Sequence, residues 1–318
     1  MLMAVAAVLI GLAMLSYGAD RFIDGASALA RVSGMSALMV GVVVVGFATS
    51  APEMLVSAVA ALDGNPVVGI GNALGSNVAN IGLVIGATAV VCPLAVQPGS
   101  RTREFPLMFV ALAIGAGMLL DQRLGALDAI VLLVSLLVLM AVTLRISGGD
   151  PGSMPPPAAG ELSLAKAIFW LLVGLALLLI GSKALVSGAV DIARALGISD
   201  VVIGLTIVAI GTSLPELAAS LTSALKNQPD MALGNILGSN MFNILGVLAM
   251  PGLLAPTAFG AEVIYRDVPI MIGLSALLYL MALSGRGAGV ITRGYGAVLL
   301  TAFVVYQALL FTQGHAGT

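Results

Sequence analysis

The sequence predicts an all-α membrane protein: ten transmembrane helices in two inverted five-helix repeats, with broken helices at a central site. Three observations carry that expectation. Of 318 residues, 60% are hydrophobic and only 9% charged, whereas a soluble domain carries about 25% charged residues. Ten apolar runs approach the roughly 20 residues that a helix needs to cross a bilayer. Polar residues inside those runs recur at a constant offset of 163 positions.

The runs fall at 2–18, 38–62, 66–91, 105–120, 126–144, 164–182, 200–225, 230–252, 267–284 and 294–312. No Lys or Arg precedes the first run, so it lacks the basic start of a signal peptide and is expected to stay as a span. The first and sixth runs have no polar midpoint and end in Gly18 and Gly181, which would let them slide over the rest. Between the fifth and sixth lies "SGGDPGSMPPPAAGE", Ser147 to Glu161, too rich in Gly, Pro and Ser to hold a helix. The expected organisation is a first repeat at 1–146, a linker at 147–163 and a second repeat at 164–318.

Loops after odd-numbered spans carry Arg21, Arg31, Arg101, Arg103, Arg145, Lys166, Lys226, Arg286 and Arg293, against Arg123, Lys183, Arg194 and Arg266 on the other side. The positive-inside bias then predicts the linker in the cytoplasm and both termini outside. A net charge of −2 without charge runs gives no footprint for nucleic acid or a polybasic lipid anchor. The single cysteine, Cys92, reads as a packing residue and excludes an intramolecular disulfide. His315 lies in a polar tail and is assigned no role.

From Gly41–Asn80 to Gly204–Asn243, 17 of 40 positions are identical. The matches fall on polar residues and glycines: Thr49 with Thr212, Ser50 with Ser213, Pro52 with Pro215, Glu53 with Glu216, Asn72 with Asn235, Ser76 with Ser239, and Asn80 with Asn243. Each half holds five spans, an odd number, so the second half enters the membrane from the opposite face. Inverted repeats with a midplane site at broken helices are typical of secondary transporters.

Glu53 and Glu216 sit deep in their runs, where a charge costs on the order of 3 kcal/mol and normally faces a cavity and a partner. No Lys or Arg stands at mid-span, which leaves a bound cation, a proton or water as partner. Thr49 and Ser50 lie four and three residues before Glu53, on its helical face, and Thr212 and Ser213 repeat this before Glu216. Pro52 and Pro215 should kink their helices and free the carbonyls of Ala48 and Gly211. In the next span, "GNALGSNVAN" and "GNILGSNMFN" place Ser76 four before Asn80 and Ser239 four before Asn243. Gly71, Gly75, Gly234 and Gly238 would admit close helix contact there. An all-oxygen set suits hard cations such as Ca²⁺ or Na⁺. Ser57 and Ser220 read as packing hydroxyls, Asp63 and Lys226 as solvated ends, and Arg103–Glu104 and Arg266–Asp267 as interfacial anchors.

"GFATSAPE" with "GNALGSNVAN", and "AIGTSLPE" with "GNILGSNMFN", resemble the α-repeats of the sodium/calcium exchanger family within the calcium/cation antiporter superfamily. With a 15-residue linker, the chain is similar to compact prokaryotic members without a regulatory domain. The resemblance implies exchange of Ca²⁺ for Na⁺ by alternating access. Glu53 and Glu216 would bind Ca²⁺, and Thr49, Ser50, Thr212, Ser213, Ser76 and Ser239 would complete the Ca²⁺ and Na⁺ sites. Asn80 and Asn243 match positions where some relatives have one Asp, which puts potassium co-transport in doubt here. No cofactor and no protein partner is implied, only the transported ions and the bilayer.

Two other readings remain open at this point. The same fold could couple Ca²⁺ to H⁺, because a desolvated Glu can hold a proton. A passive cation channel could use the same oxygens, although one central site argues against a ring-like filter. An intramembrane enzyme is disfavoured, since no mid-span His, Cys or Asp pair supplies a nucleophile or base.

Overall fold

The computed structural model describes residues 1–146, 163–197, 209–284 and 289–316. Residues 147–162 of the linker expected at 147–163, the start of the seventh run and Arg286 lie outside the described residues, as does the side chain of His315. The helices are α1 (Leu2–Ser33), α2 (Ala37–Leu62), α3 (Pro66–Val91), α4 (Pro98–Leu119), α5 (Ala126–Ile146), α6 (Leu164–Ala195), α7 (Ala209–Thr212), α8 (Leu214–Leu225), α9 (Pro229–Leu254), α10 (Val263–Leu283) and α11 (Arg293–Ala316). Among the described residues, nine of them are long and apolar enough to cross a membrane. The seventh expected span is described only as α7 and α8.

The first and sixth spans do not end at Gly18 and Gly181. α1 and α6 each run for 32 residues, so Arg21 and Lys183 are helical and not in loops. One glycine costs a helix only about 1 kcal/mol, and here the glycines are contact points between α1 and α6. A Cβ on Gly11 would lie 2.6 Å from Leu185 N, one on Gly18 2.9 Å from Leu178 N, and one on Gly25 2.5 Å from Leu171 N. Partner numbers fall as residue numbers rise, so the two helices are antiparallel. The contacts are reciprocal at the 163 offset: Gly174 meets Phe22 N, Gly181 meets Leu15 N and Gly188 meets Val8 N. Arg21 covers its charge by stacking over Tyr17 and Trp170, 5.0 and 4.9 Å from the ring centroids. α1 ends where Gly34 takes φ 70°, a left-handed cap that glycine adopts without strain.

Further reciprocity runs through the fold. α3 and α9 both open on a proline in the first turn, Pro66 and Pro229, and both widen into a π-helical stretch, Asn80–Ile85 and Asn243–Val247. Two short ribbons, β1 (Leu94–Val96) with β4 (Gly289–Ile291) and β2 (Arg123–Leu124) with β3 (Thr257–Ala258), are antiparallel. Shifting Leu94 and Ala95 by 163 gives Thr257 and Ala258, so each ribbon joins one half to the other.

Burial divides into two apolar clusters. The larger joins α3, α4 and α5 to α9, α10 and α11 through residues such as Ile81, Phe105, Leu132, Leu237, Leu278 and Phe303. The smaller joins α1 and α6 to α2 and α8 through Phe22, Ile23, Val45, Leu178 and Ala219. Large apolar side chains such as Leu55, Leu127 and Leu137 face outward, 66%, 80% and 71% exposed, which suits lipid. The site residues lie between the two clusters, on α2, α3, α7, α8 and α9.

The glycine interface sets a testable limit. Gly174→Val puts a branched side chain against the Phe22 backbone, and overpacking of this kind costs about 1–3 kcal/mol. The variant should unfold at lower temperature in detergent than Gly117→Ala, where an added Cβ meets nothing within 4 Å.

Candidate cation site

The two matched motifs fold differently. In α2 a π-helical turn at Gly41–Val45 precedes an α-helix from Gly46 to Leu62 that runs through Pro52 without a break. The expected opening at Pro52 is therefore absent. Asn72 of α3 donates to the Glu53 carbonyl at 3.1 Å, and Gly46 packs on the backbone of α9, so one missing hydrogen bond does not end the helix. In the second motif the chain does break, at Ser213, and Pro215 falls in the first turn of α8, where its missing N–H has no cost. The freed Gly211 carbonyl accepts the Ser182 hydroxyl of α6 at 2.9 Å. The position 163 before Ser182 is Ala19, which has no hydroxyl to offer the Ala48 carbonyl.

Glu53 and Glu216 are 1% and 0% exposed and lie near enough for the charge of one to act on the other. Glu216 sits in the first turn of α8, where the helix dipole favours negative charge. Glu53, within α2, has no such help. Each glutamate is held by an asparagine from the neighbouring helix. Asn72 Nδ2 donates to the Glu53 carbonyl and to Ser57 Oγ at 2.9 Å. Asn235 Nδ2 donates to the Glu216 carbonyl at 3.3 Å and to Ser220 Oγ at 2.9 Å. Ser57 and Ser220 are thus anchors for these amides and not mere packing hydroxyls.

Other predicted residues gather around this pair. Thr49 donates to Asn235 Oδ1 at 3.2 Å and lies 3.3 Å from Ser239 Oγ. Asn80 donates its amide to Asn240 Oδ1 at 3.2 Å, leaving its own oxygen unbonded. Asn77 donates to the Asn240 carbonyl at 3.3 Å. Asn80 and Asn243 each begin a π-helical stretch, a local widening often found at functional sites. Gly234 and Gly238 pack against the Leu38 and Val42 backbone as expected, whereas Gly71 and Gly75 line a cavity.

Two cavities reach the cluster. One of about 240 Å³ is lined by Asn72, Ser76, Thr212, Arg266, Asp267 and Tyr306. Asp267 accepts from Arg266 at 2.7 Å and from the Tyr306 hydroxyl at 3.0 Å, so this arginine stands at a cavity wall. A second of about 510 Å³ lies between α2 and α6 and is lined by Pro52, Glu53, Ser182, Lys183, Thr212 and Pro215 among others. The expectation of no cation inside a span fails at Arg21 and Lys183, because α1 and α6 continue past Gly18 and Gly181. Lys183 is exposed and leaves both Glu53 oxygens without a hydrogen-bond partner.

Both oxygens of Glu53 and Glu216, Ser50 Oγ, Ser213 Oγ and the side-chain oxygens of Asn80 and Asn243 are buried and have no hydrogen-bond partner among the described residues. Each such group costs about 1–3 kcal/mol or more if left unmet. Among the described residues no group of three His, Cys, Asp or Glu forms a metal cluster. Two carboxylates with hydroxyl and amide oxygens can balance a hard divalent cation or hold several monovalent ones. Asn72, Asn235, Asn77 and Asn240 are the functional candidates that motif reading passed over. The signal was available, because Asn72 matches Asn235 and Asn77 matches Asn240 at the 163 offset.

Membrane-spanning helices that turn paired carboxylates and neutral oxygens inward, with cavities leading to them, define a cation transporter. The chain belongs to the sodium/calcium exchanger protein family, a family of transmembrane antiporters, whose model matches residues 3–145 and 166–312. CaxA of Alkalimonas amylolytica is 45% identical over 98% of this chain and 100% of its own. The inner membrane protein YrbG of Escherichia coli is 35% identical over 98% of both chains, and the sodium/calcium exchanger MaX1 of Methanosarcina acetivorans is 29% identical over 95% of this chain and 97% of its own. A solved structure of the sodium-calcium exchanger NCX_Mj superposes with a TM-score of 0.84 at 33% identity, covering 96% of this chain and 98% of that one.

Asn235→Leu removes both bonds that hold the Glu216 backbone and Ser220. Divalent-cation affinity, measured calorimetrically in detergent, should fall by about tenfold, equivalent to roughly 1.4 kcal/mol, while the protein stays folded.

Proposed function

We propose that this chain exchanges Ca²⁺ for Na⁺ across a prokaryotic inner membrane by alternating access, with Ca²⁺ held between Glu53 and Glu216. The observation that carries the reading is a pair of buried carboxylates whose four oxygens have no hydrogen-bond partner among the described residues. Thr49, Ser50, Ser76, Thr212, Ser213 and Ser239 supply neutral oxygens for Ca²⁺ and Na⁺, and Asn80 and Asn243 complete the cage. Sodium is preferred to protons as the coupling ion because neutral hydroxyl and amide oxygens outnumber the carboxylates. The names of MaX1 and NCX_Mj point the same way.

On this reading residues 1–146 and 164–318 are inverted five-helix repeats joined by the linker at 147–163. The antiparallel, reciprocal contacts of α1 with α6 and the exchanged β-ribbons support it. Leaving out Arg21 and Lys183, which lie more than two turns inside their helices, gives eight basic residues near the ends of odd-numbered spans and three near those of even ones, a bias that supports a cytoplasmic linker and external termini.

The two faces of the structure are unequal, as alternating access requires. Between α1 and α8, Ile23 and Ala219 are both 0% exposed. At the related place between α2 and α6, Val56 is 44% exposed and lines the large cavity. By the charge bias, the open face is external. One Ca²⁺ or two or more Na⁺ balance the two glutamates. Without them, like charges repel in a medium of low dielectric, so the empty carrier is slow to change face and exchange becomes obligatory.

Glu53→Gln and Glu216→Gln should each abolish Ca²⁺ uptake into proteoliposomes while membrane insertion stays normal. In the unaltered protein, uptake should follow an imposed Na⁺ gradient. Flux driven by a pH gradient in the absence of Na⁺ would assign the chain to Ca²⁺/H⁺ antiport, and flux without any counter-ion would assign it to a channel.

A further inference from the structure

The contacts that close one face of the molecule have charge-reversed counterparts on the other. Lys226, just past α8, places its Nζ 2.7 Å from Asp20 and 2.6 Å from Asp24 of α1 and donates to the Asp20 carbonyl at 3.0 Å. Ser27 of α1 donates to Gln228 at 2.7 Å beside them. The sequence offset of 163 converts Asp20 into Lys183 and Lys226 into Asp63. Both signs reverse, so the pair remains complementary. Among the described residues Lys183 and Asp63 make no ion pair with each other, and both are exposed. Lys183 lines the 510 Å³ cavity between α2 and α6, and Asp63 lines an adjoining one of about 480 Å³; Leu55 and Val56 border both.

The geometry points to two mutually exclusive ionic ties that position the moving helices at the ends of the transport cycle. Asp20 and Asp24 with Lys226 hold α1 on α8 in the state seen here, and Lys183 with Asp63 holds α6 on α2 in the oppositely open state. The inference rests on the alternating-access reading above. The glycine contacts interlock α1 and α6, so they move as one body, and a shift that closes α6 on α2 draws α1 away from α8. One tie then breaks as the other forms. Their energies largely offset each other, which keeps the two states close enough for the charge at Glu53 and Glu216 to decide between them. The alternative, that Lys183 and Asp63 are simply solvated, gives no reason for a complementary pair at the place related to a formed one.

Two experiments test the ties, both in a Cys92→Ser background with the wild-type exchange rate measured alongside. In the first, Asp20→Cys with Lys226→Cys and Lys183→Cys with Asp63→Cys are bridged by a short thiol cross-linker. Each pair should cross-link, each bridge should stop Ca²⁺ exchange until it is reduced, and in the four-cysteine chain one bridge should exclude the other. Both bridges in one molecule, or no bridge at 63 and 183 in a chain that transports, would overturn the proposal. In the second, Lys183→Asp should slow exchange about two- to five-fold, the scale of a part-exposed ion pair, and adding Asp63→Lys should restore it. Failure of that rescue counts against the tie. If wild-type chain shows no exchange at all, the functional reading itself fails, and the two failures are thereby distinguished.

Discussion

Two carboxylates buried near each other inside a membrane protein, with no partner for their oxygens among the described residues, are the constraint from which most of this structure follows. Buried like charges are tolerated only if something neutralises them, and here the neighbouring groups are hydroxyls and amides that cannot. The protein instead fixes the glutamates from behind. Asn72 and Asn235 bond to the glutamate carbonyls, not the carboxylates, which leaves both oxygens of each acid without a partner among the described residues. The same economy of partners holds for Ser50, Ser213, Asn80 and Asn243, whose oxygens are buried without a protein donor. A core built for stability alone would have satisfied these groups internally.

Much of this was legible in the sequence, because polar residues in an apolar span are costly and cannot occur in register by shared oiliness. The repeat, the glutamates and their Thr and Ser neighbours, and the deep position of the whole set could all be read from that cost. Helix limits were less legible. Gly18 and Gly181 looked like ends because glycine followed by charged residues usually marks a boundary, yet Arg21 is covered by two aromatic rings and the glycines are needed where two backbones touch. Lys183 was misplaced for the same reason. The roles of Asn72 and Asn235 were hidden because their partners, Glu carbonyls 19 residues away, are backbone atoms that sequence spacing does not single out.

The unequal behaviour of matched motifs shows a second limit. "TSAPE" stays helical and "TSLPE" breaks, though the proline sits at the same place in both. A lost N–H leaves a carbonyl to be satisfied, and whether the helix opens there depends on a donor from another element. Ser182 provides one for Gly211, and Ala19 provides none for Ala48. A local sequence therefore encodes the option to unwind, and tertiary context chooses.

The deepest difference between sequence and structure is one of symmetry. The sequence repeats its polar motifs in both halves, whereas the structure is closed between α1 and α8 and open between α2 and α6. A chain with two equivalent halves has two equivalent ways to be unequal, related by exchanging their roles, and one structure can show only one of them. Under the proposed mechanism those two arrangements are the two faces of the carrier. The glycine-lined contact of α1 with α6 suits this, because backbone set closely against backbone couples the two helices as one body, which can then shift as a unit against the rest. Stability then has to come from the larger cluster around α3 and α9, whose π-helical stretches and asparagines hold the site still while the outer pair changes position.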